Sequence, residues 1–186
     1  MKRIVLTGGP CGGKTTALPI LKEYFSGKGL KVVCLSETAE ELLKEGKKPF
    51  GDTAFSFHRE LIERQLEKEE KNLGNLQICD RGCFDIRAYI SEDMFHEIIR
   101  SFGYKTETLM RRYDGIFHLT TAAIGAEYAY TTENDDVRYE SSEQAAELDG
   151  RSLVAWEGHS RHIVLDNSTD FEGKITRLEN EISRII

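Results

Sequence analysis

Residues 8–16 read GGPCGGKTT and follow a short apolar run, RIVLT, at residues 3–7. The apolar run, stopped by Gly8 and Gly9, reads as a buried strand over residues 4–7. Beyond the loop, Ala17, Leu18, Leu21 and Phe25 recur at helical spacing, so residues 14–27 read as a helix, with Pro19 tolerable near its start. Gly8-Gly9-Pro10-Cys11-Gly12-Gly13-Lys14-Thr15 therefore fits G-x-x-x-x-G-K-[ST] between a strand and a helix, the context that gives the pattern its meaning. Backbone N–H groups converge on a phosphate only if side chains stay out of the way, and the helix start adds the positive end of its dipole. Lys14 can reach the β- and γ-phosphates, Thr15 can ligate Mg²⁺, and Thr16 can contact the α-phosphate region. Cys11 in the loop reads as a small residue that fits rather than a redox switch.

Outward from the loop, apolar runs at residues 31–35, 76–79, 115–119 and 162–165 read as further strands. Helical patterns fill the intervals at residues 53–71, 84–90, 92–102, 107–112 and 141–157, and from 169 to the end. Thr38-x-x-Glu41, Ser141-x-x-Gln144 and Thr169-x-x-Glu172 have the form of capping boxes, the first opening a helix to about residue 44. Glu60/Arg64 and Glu67/Lys71 are spaced to pair on the long charged helix. Strand–helix alternation through 186 residues predicts one α/β domain over residues 1–186, a five-stranded parallel sheet flanked by helices.

The net charge of −7 disfavours broad binding to duplex nucleic acid, and no apolar run approaches the ~20 residues of a membrane span. Cys11, Cys34, Cys79 and Cys83 show no CxxC spacing and read as reduced thiols. With no signal-peptide core at residues 1–7, a cytoplasmic location is expected, and a homodimer is allowed.

A triphosphate site also needs an acid near the metal. Asp80 ends the strand in LQICDRG, at the edge where open α/β sheets bind ligands, and is the expected second Mg²⁺ ligand beside Thr15. Arg81 follows, with a planar fork suited to a phosphate or a substrate oxygen. Glu37, after the second strand, is either a base for an acceptor hydroxyl or a helix N-terminal acid. Phe57 and His58 belong to a core stripe or line an acceptor pocket. The polar segment at about 120–140 reads as a lid or a solvated loop, and its Arg138 could stabilise a transferring phosphoryl group. The loop after the fifth strand, Asp166 to Asp170, lacks the Asn-Lys-x-Asp pattern of guanine-specific GTPases, so ATP and GTP both remain open.

The stretches KRIVLTGGPCGGKTT, SETAEELL, CDRGCFDIRAYIS, YDGIFHLTTAAIGAEYAYT, VRYES…A…LD, AWEGH and LDNSTDFEGK together resemble the nucleotide-binding domain of the TRPL translocation defect type, an AAA-like P-loop group placed with the ribosylnicotinamide kinase domain. The resemblance covers nearly the whole chain. It implies a kinase-like parallel sheet and NTP binding through Lys14 and Thr15 with Mg²⁺. The phosphate-binding barrel of full-length members is not carried over. Glu37, Asp80-Arg81 and Arg138 also look like the layout of deoxynucleoside kinases, where a strand-two glutamate acts as base, although those lids carry several arginines. Two functions follow as expectations: a phosphotransferase acting on a nucleoside-like acceptor, or a regulatory module that binds ATP or GTP and hydrolyses slowly.

Overall fold

The computed structural model describes residues 1–71, 73–130 and 141–186. Strands β1 (Lys2–Thr7), β2 (Val32–Leu35), β3 (Leu76–Asp80), β4 (Gly115–Leu119) and β5 (His162–Leu165) form one parallel sheet in the order β2-β3-β1-β4-β5. Helices α1 (Lys14–Gly27), α2 (Thr38–Lys44), α3 (Ala54–Lys71), α4 (Glu92–Ser101), α5 (Thr106–Met110), α6 (Ser142–Ala155) and α7 (Phe171–Ser183) connect and cover it. Parallel strands need crossovers, and the crossover helices bury both sheet faces, which is why β3 and β4 are buried at every position.

Side-chain alternation divides the core in two. Ile4, Leu6, Ile78, Phe117 and Leu165 pack with α1 and α7 through Leu21, Phe25, Ile175 and Leu178. Val5, Cys79 and Ile116 face the other way, toward Leu42 of α2, Ile62 of α3, Phe95 and Ile98 of α4, and Trp156 just past α6. Each such fully buried side chain contributes about 1.5–3 kcal/mol. The sequence order of strands reverses direction on either side of β1, so the loop after β1 lies at the switch point where α/β sheets bind ligands.

Local chemistry departs from expectation in three places. Thr38 is the first residue of α2, not its cap; its hydroxyl donates to Gln65 Oε1 at 2.7 Å, and Glu37 is the N-cap residue without a capping side-chain bond. Asp170, not Thr169, caps α7 by accepting from the Gly173 amide at 2.9 Å; a carboxylate is the better match to a helix N-terminus. The 84–90 segment forms only a short 3₁₀ turn, Asp85–Ala88, with the Asp85 carboxylate accepting from the Gly82 amide. The Ser141–Gln144 capping box is formed in both directions, and both expected α3 ion pairs are present at 2.7 Å. Pro19 is exposed on α1, so the hydrogen bond it cannot donate is lost on the wet side of the helix.

Candidate active site

The loop between β1 and α1 depends on its glycines. A Cβ on Gly8 would lie 2.2 Å from the Leu119 carbonyl oxygen, and one on Gly12 would lie 2.4 Å from the same atom. Gly8 and Gly13 have φ of 125° and 87°, values that side chains resist, and Cys11 also sits in the left-handed region at 55°. The Lys14 ammonium donates to the Gly8 and Gly9 carbonyls at 3.0 and 2.7 Å, curling the loop around it. Thr15 and Thr16 are exposed at the first turn of α1.

Register places Asp80 opposite Leu6, directly beside this loop. Its Oδ2 accepts from the Thr15 hydroxyl at 2.9 Å, while Oδ1 is buried with no hydrogen-bond partner among the described residues. Burial pushes the Asp80 carboxyl above its ordinary pKa; Lys14 works against that shift and Glu37 adds to it. A hydroxyl and a carboxylate oxygen in contact, with a second carboxylate oxygen buried and unsatisfied, suit a hard divalent cation such as Mg²⁺.

Arg81 takes φ of 67° immediately past β3, anchored by its N–H to the Leu6 carbonyl at 3.0 Å. That turn brings its guanidinium between two acids: Nε donates to Glu37 Oε1 at 2.9 Å, and Nη1 lies 3.5 Å from Asp85 Oδ1. The Tyr89 ring lies 5.9 Å from the guanidinium carbon. Glu37 comes from the end of β2, so the three edge loops after β1, β2 and β3 converge. Phe57 and His58 lie deeper, both buried, with ring centroids 5.2 Å apart. Burial pulls His58 down to about 4, so it is neutral at pH 7, and its Nδ1 has no partner among the described residues. Arg138 lies outside the described residues.

Several site residues carried no signal in the sequence. Asp85 accepts from the Thr7 hydroxyl, the Gly82 amide at 2.8 Å and the Trp156 indole at 3.2 Å, joining β1 to the Arg81 turn. Lys174 of α7 is buried and donates to the Thr120 carbonyl at 2.7 Å, to Asn167 Oδ1 at 2.8 Å and toward the Gly12 carbonyl at 3.4 Å. Burial lowers Lys174 to about 8, against the pull of Asp149.

Residues 3–174 match the AAA domain family. The chain belongs to that family, as a P-loop nucleotide-binding domain. The match runs from β1 to Lys174 and so takes in the phosphate loop, Asp80-Arg81 and the α7 lysine that braces the loop. No curated protein matches the chain. In this AAA domain no helix among the described residues is long and apolar enough to cross a membrane.

Proposed function

We propose that this protein is a Mg²⁺-dependent phosphotransferase of the ribosylnicotinamide kinase kind, using ATP or GTP and a nucleoside-like acceptor. The observation that carries the reading is the Glu37–Arg81 pair, 2.9 Å apart, set beside the Thr15–Asp80 pair at the same sheet edge. The loop amides and Lys14 take the β- and γ-phosphates. Thr15 and Asp80 would hold Mg²⁺, which would supply positive charge against the phosphates. Arg81 orients the Glu37 carboxylate, which takes the proton of the acceptor hydroxyl as its oxygen bonds to the γ-phosphorus. The bond to the bridging oxygen breaks, and the nucleoside diphosphate leaves. His58 Nδ1 can accept from a second acceptor hydroxyl, with Phe57 behind it. Arg138 is assigned to the transferring phosphoryl group from the segment before α6.

In the alternative, a regulatory module with slow hydrolysis, Arg81 stays tied to Asp85 as well as Glu37 and no acceptor is bound. The test is ADP or GDP release with Mg²⁺ against a panel of nucleosides and related alcohols. An acceptor that raises release, with Glu37→Gln removing about 10²–10⁴ of the rate and Lys14→Ala losing nucleotide, supports transfer. A slow rate that no acceptor moves, with nucleotide still bound, sinks transfer in favour of the switch.

A further inference from the structure

Asp149 lies on α6, 140 residues from the loop it touches. Its Oδ1 accepts from the Gly9 amide at 2.7 Å and from the Thr121 amide at 2.9 Å. Its Oδ2 lies 3.0 Å from His118 Nε2 on β4, and the carboxylate is buried. Burial opposes the charge, yet His118 and the two amides hold the carboxyl below its usual pKa. The contact needs Gly9 to lack a side chain: a Cβ there would meet Asp149 Cβ and the Ala145 carbonyl oxygen, both at 2.9 Å.

Neighbouring loop residues are tied in the same manner. The Pro10 carbonyl accepts from the Thr121 hydroxyl, the Cys11 carbonyl accepts from the Ala122 amide at 3.1 Å, and the Gly12 carbonyl faces Lys174 at 3.4 Å. Four consecutive residues of a glycine-rich loop are thus held from outside it. Such a loop otherwise loses much backbone entropy on gripping an anion, and preorganisation removes that loss.

We propose that Asp149 is a positioning residue for the phosphate loop, fixing the Gly9 amide and so raising affinity for any polyphosphate the loop receives. The proposal rests on nucleotide binding, not on phosphoryl transfer. Its sign is diagnostic. A carboxylate acting only through its charge would repel the ligand, and its removal would tighten binding. A carboxylate acting through position loosens the loop when removed.

The test uses the full chain, with ATP, GTP and inorganic tripolyphosphate as probes, measured by calorimetry. Asp149→Ala should weaken all three by about tenfold or more, the effect of losing charge-assisted hydrogen bonds. Asp149→Asn, which can still accept from Gly9, should lose about threefold. Both variants should shift the Gly9 and Thr121 amide proton resonances upfield. Ile98→Val, in the core on α4, serves as a control of lowered stability and should keep affinity within about twofold. Unchanged or tighter binding by Asp149→Asn overturns the proposal, as does a loss in Asp149→Ala no larger than that of Ile98→Val at equal melting loss. If Asp149→Ala does not fold, Asp149→Asn decides. A wild type that binds none of the probes removes the nucleotide reading itself, and the Gly9 resonance still reports whether Asp149 holds the loop.

Discussion

The Thr15 hydroxyl donates to Asp80 Oδ2 at 2.9 Å, and the other Asp80 oxygen is buried without a hydrogen-bond partner among the described residues. A carboxylate left so is a stability defect that a cation corrects. Asp80→Asn removes the buried charge and should therefore stabilise the ligand-free protein by about 1 kcal/mol, while abolishing Mg²⁺-dependent turnover. The sign follows from the raised carboxyl: its neutral form is favoured in the fold, so its stabilising contribution is present at low pH and lost as pH rises through the folded value. Affinity for Mg²⁺-nucleotide should run the opposite way, falling as acid protonates Asp80. Thermal melting with and without Mg²⁺-nucleotide checks both; a less stable Asp80→Asn protein contradicts the first expectation.

Two glycines should respond in opposite senses to alanine. At Gly12 the new Cβ would lie 2.4 Å from a backbone oxygen that cannot rotate away, so the loop must distort. Gly12→Ala should cost about 2 kcal/mol or more and most nucleotide affinity. Gly150, inside α6, has nothing within 4 Å of the added atom and no unusual φ. Gly150→Ala should add about 0.5–1 kcal/mol through the unfolded chain. Denaturant midpoints of the two variants check both signs.

What the sequence disclosed depended on how local each signal was. GGPCGGKTT carries its geometry within nine residues, and Asp80 was marked by ending an apolar strand. The alternation of strands and helices sufficed for a parallel sheet. Strand order is set by pairings between distant segments that no local pattern encodes, and so are the meetings of Asp149 with Gly9 and of Lys174 with Thr120, 140 and 54 residues apart. The Thr38 capping box failed for the same reason, since Gln65 of α3 claims its hydroxyl. Phe57 illustrates a pattern with two readings: the helical stripe fixed its face but not its depth, and packing put it in the core.

Acid should destabilise the fold through its histidines. Burial holds His58 and His162 at about 4, below the ordinary 6.5. Between those values the unfolded chain binds protons that the folded chain refuses. Their contribution is complete above about pH 6.5 and is lost as pH falls toward 4. Asp80 contributes a slope of opposite sign, so single histidine variants are compared with wild type. His58→Gln and His162→Gln should each flatten the fall in melting temperature over that window; parallel curves would show that neither histidine is held neutral.

The loop after β5 should not tell ATP from GTP. Asn167 is the side chain there best suited to reading a base edge, but its groups are already engaged. Its amide donates to the Thr121 and Ile124 carbonyls at 2.8 and 2.6 Å, and its oxygen accepts from Lys174 at 2.8 Å. Asp166 Oδ1 is likewise taken by Ser168 and Arg177. Discrimination of about 10⁴ needs polar groups that the wrong base would leave unpaired, and these two side chains are already paired by the protein itself. ATP and GTP should then bind within about threefold of each other, a difference under 1 kcal/mol. Asn167→Ala should leave that ratio unchanged while lowering stability by about 2 kcal/mol, because two carbonyls and the Lys174 ammonium each lose a partner. Competition binding of the two nucleotides to wild type and Asn167→Ala measures the ratio. A preference beyond about thirtyfold that Asn167→Ala erases would mean that Asn167 leaves its carbonyls and turns to the base when nucleotide binds.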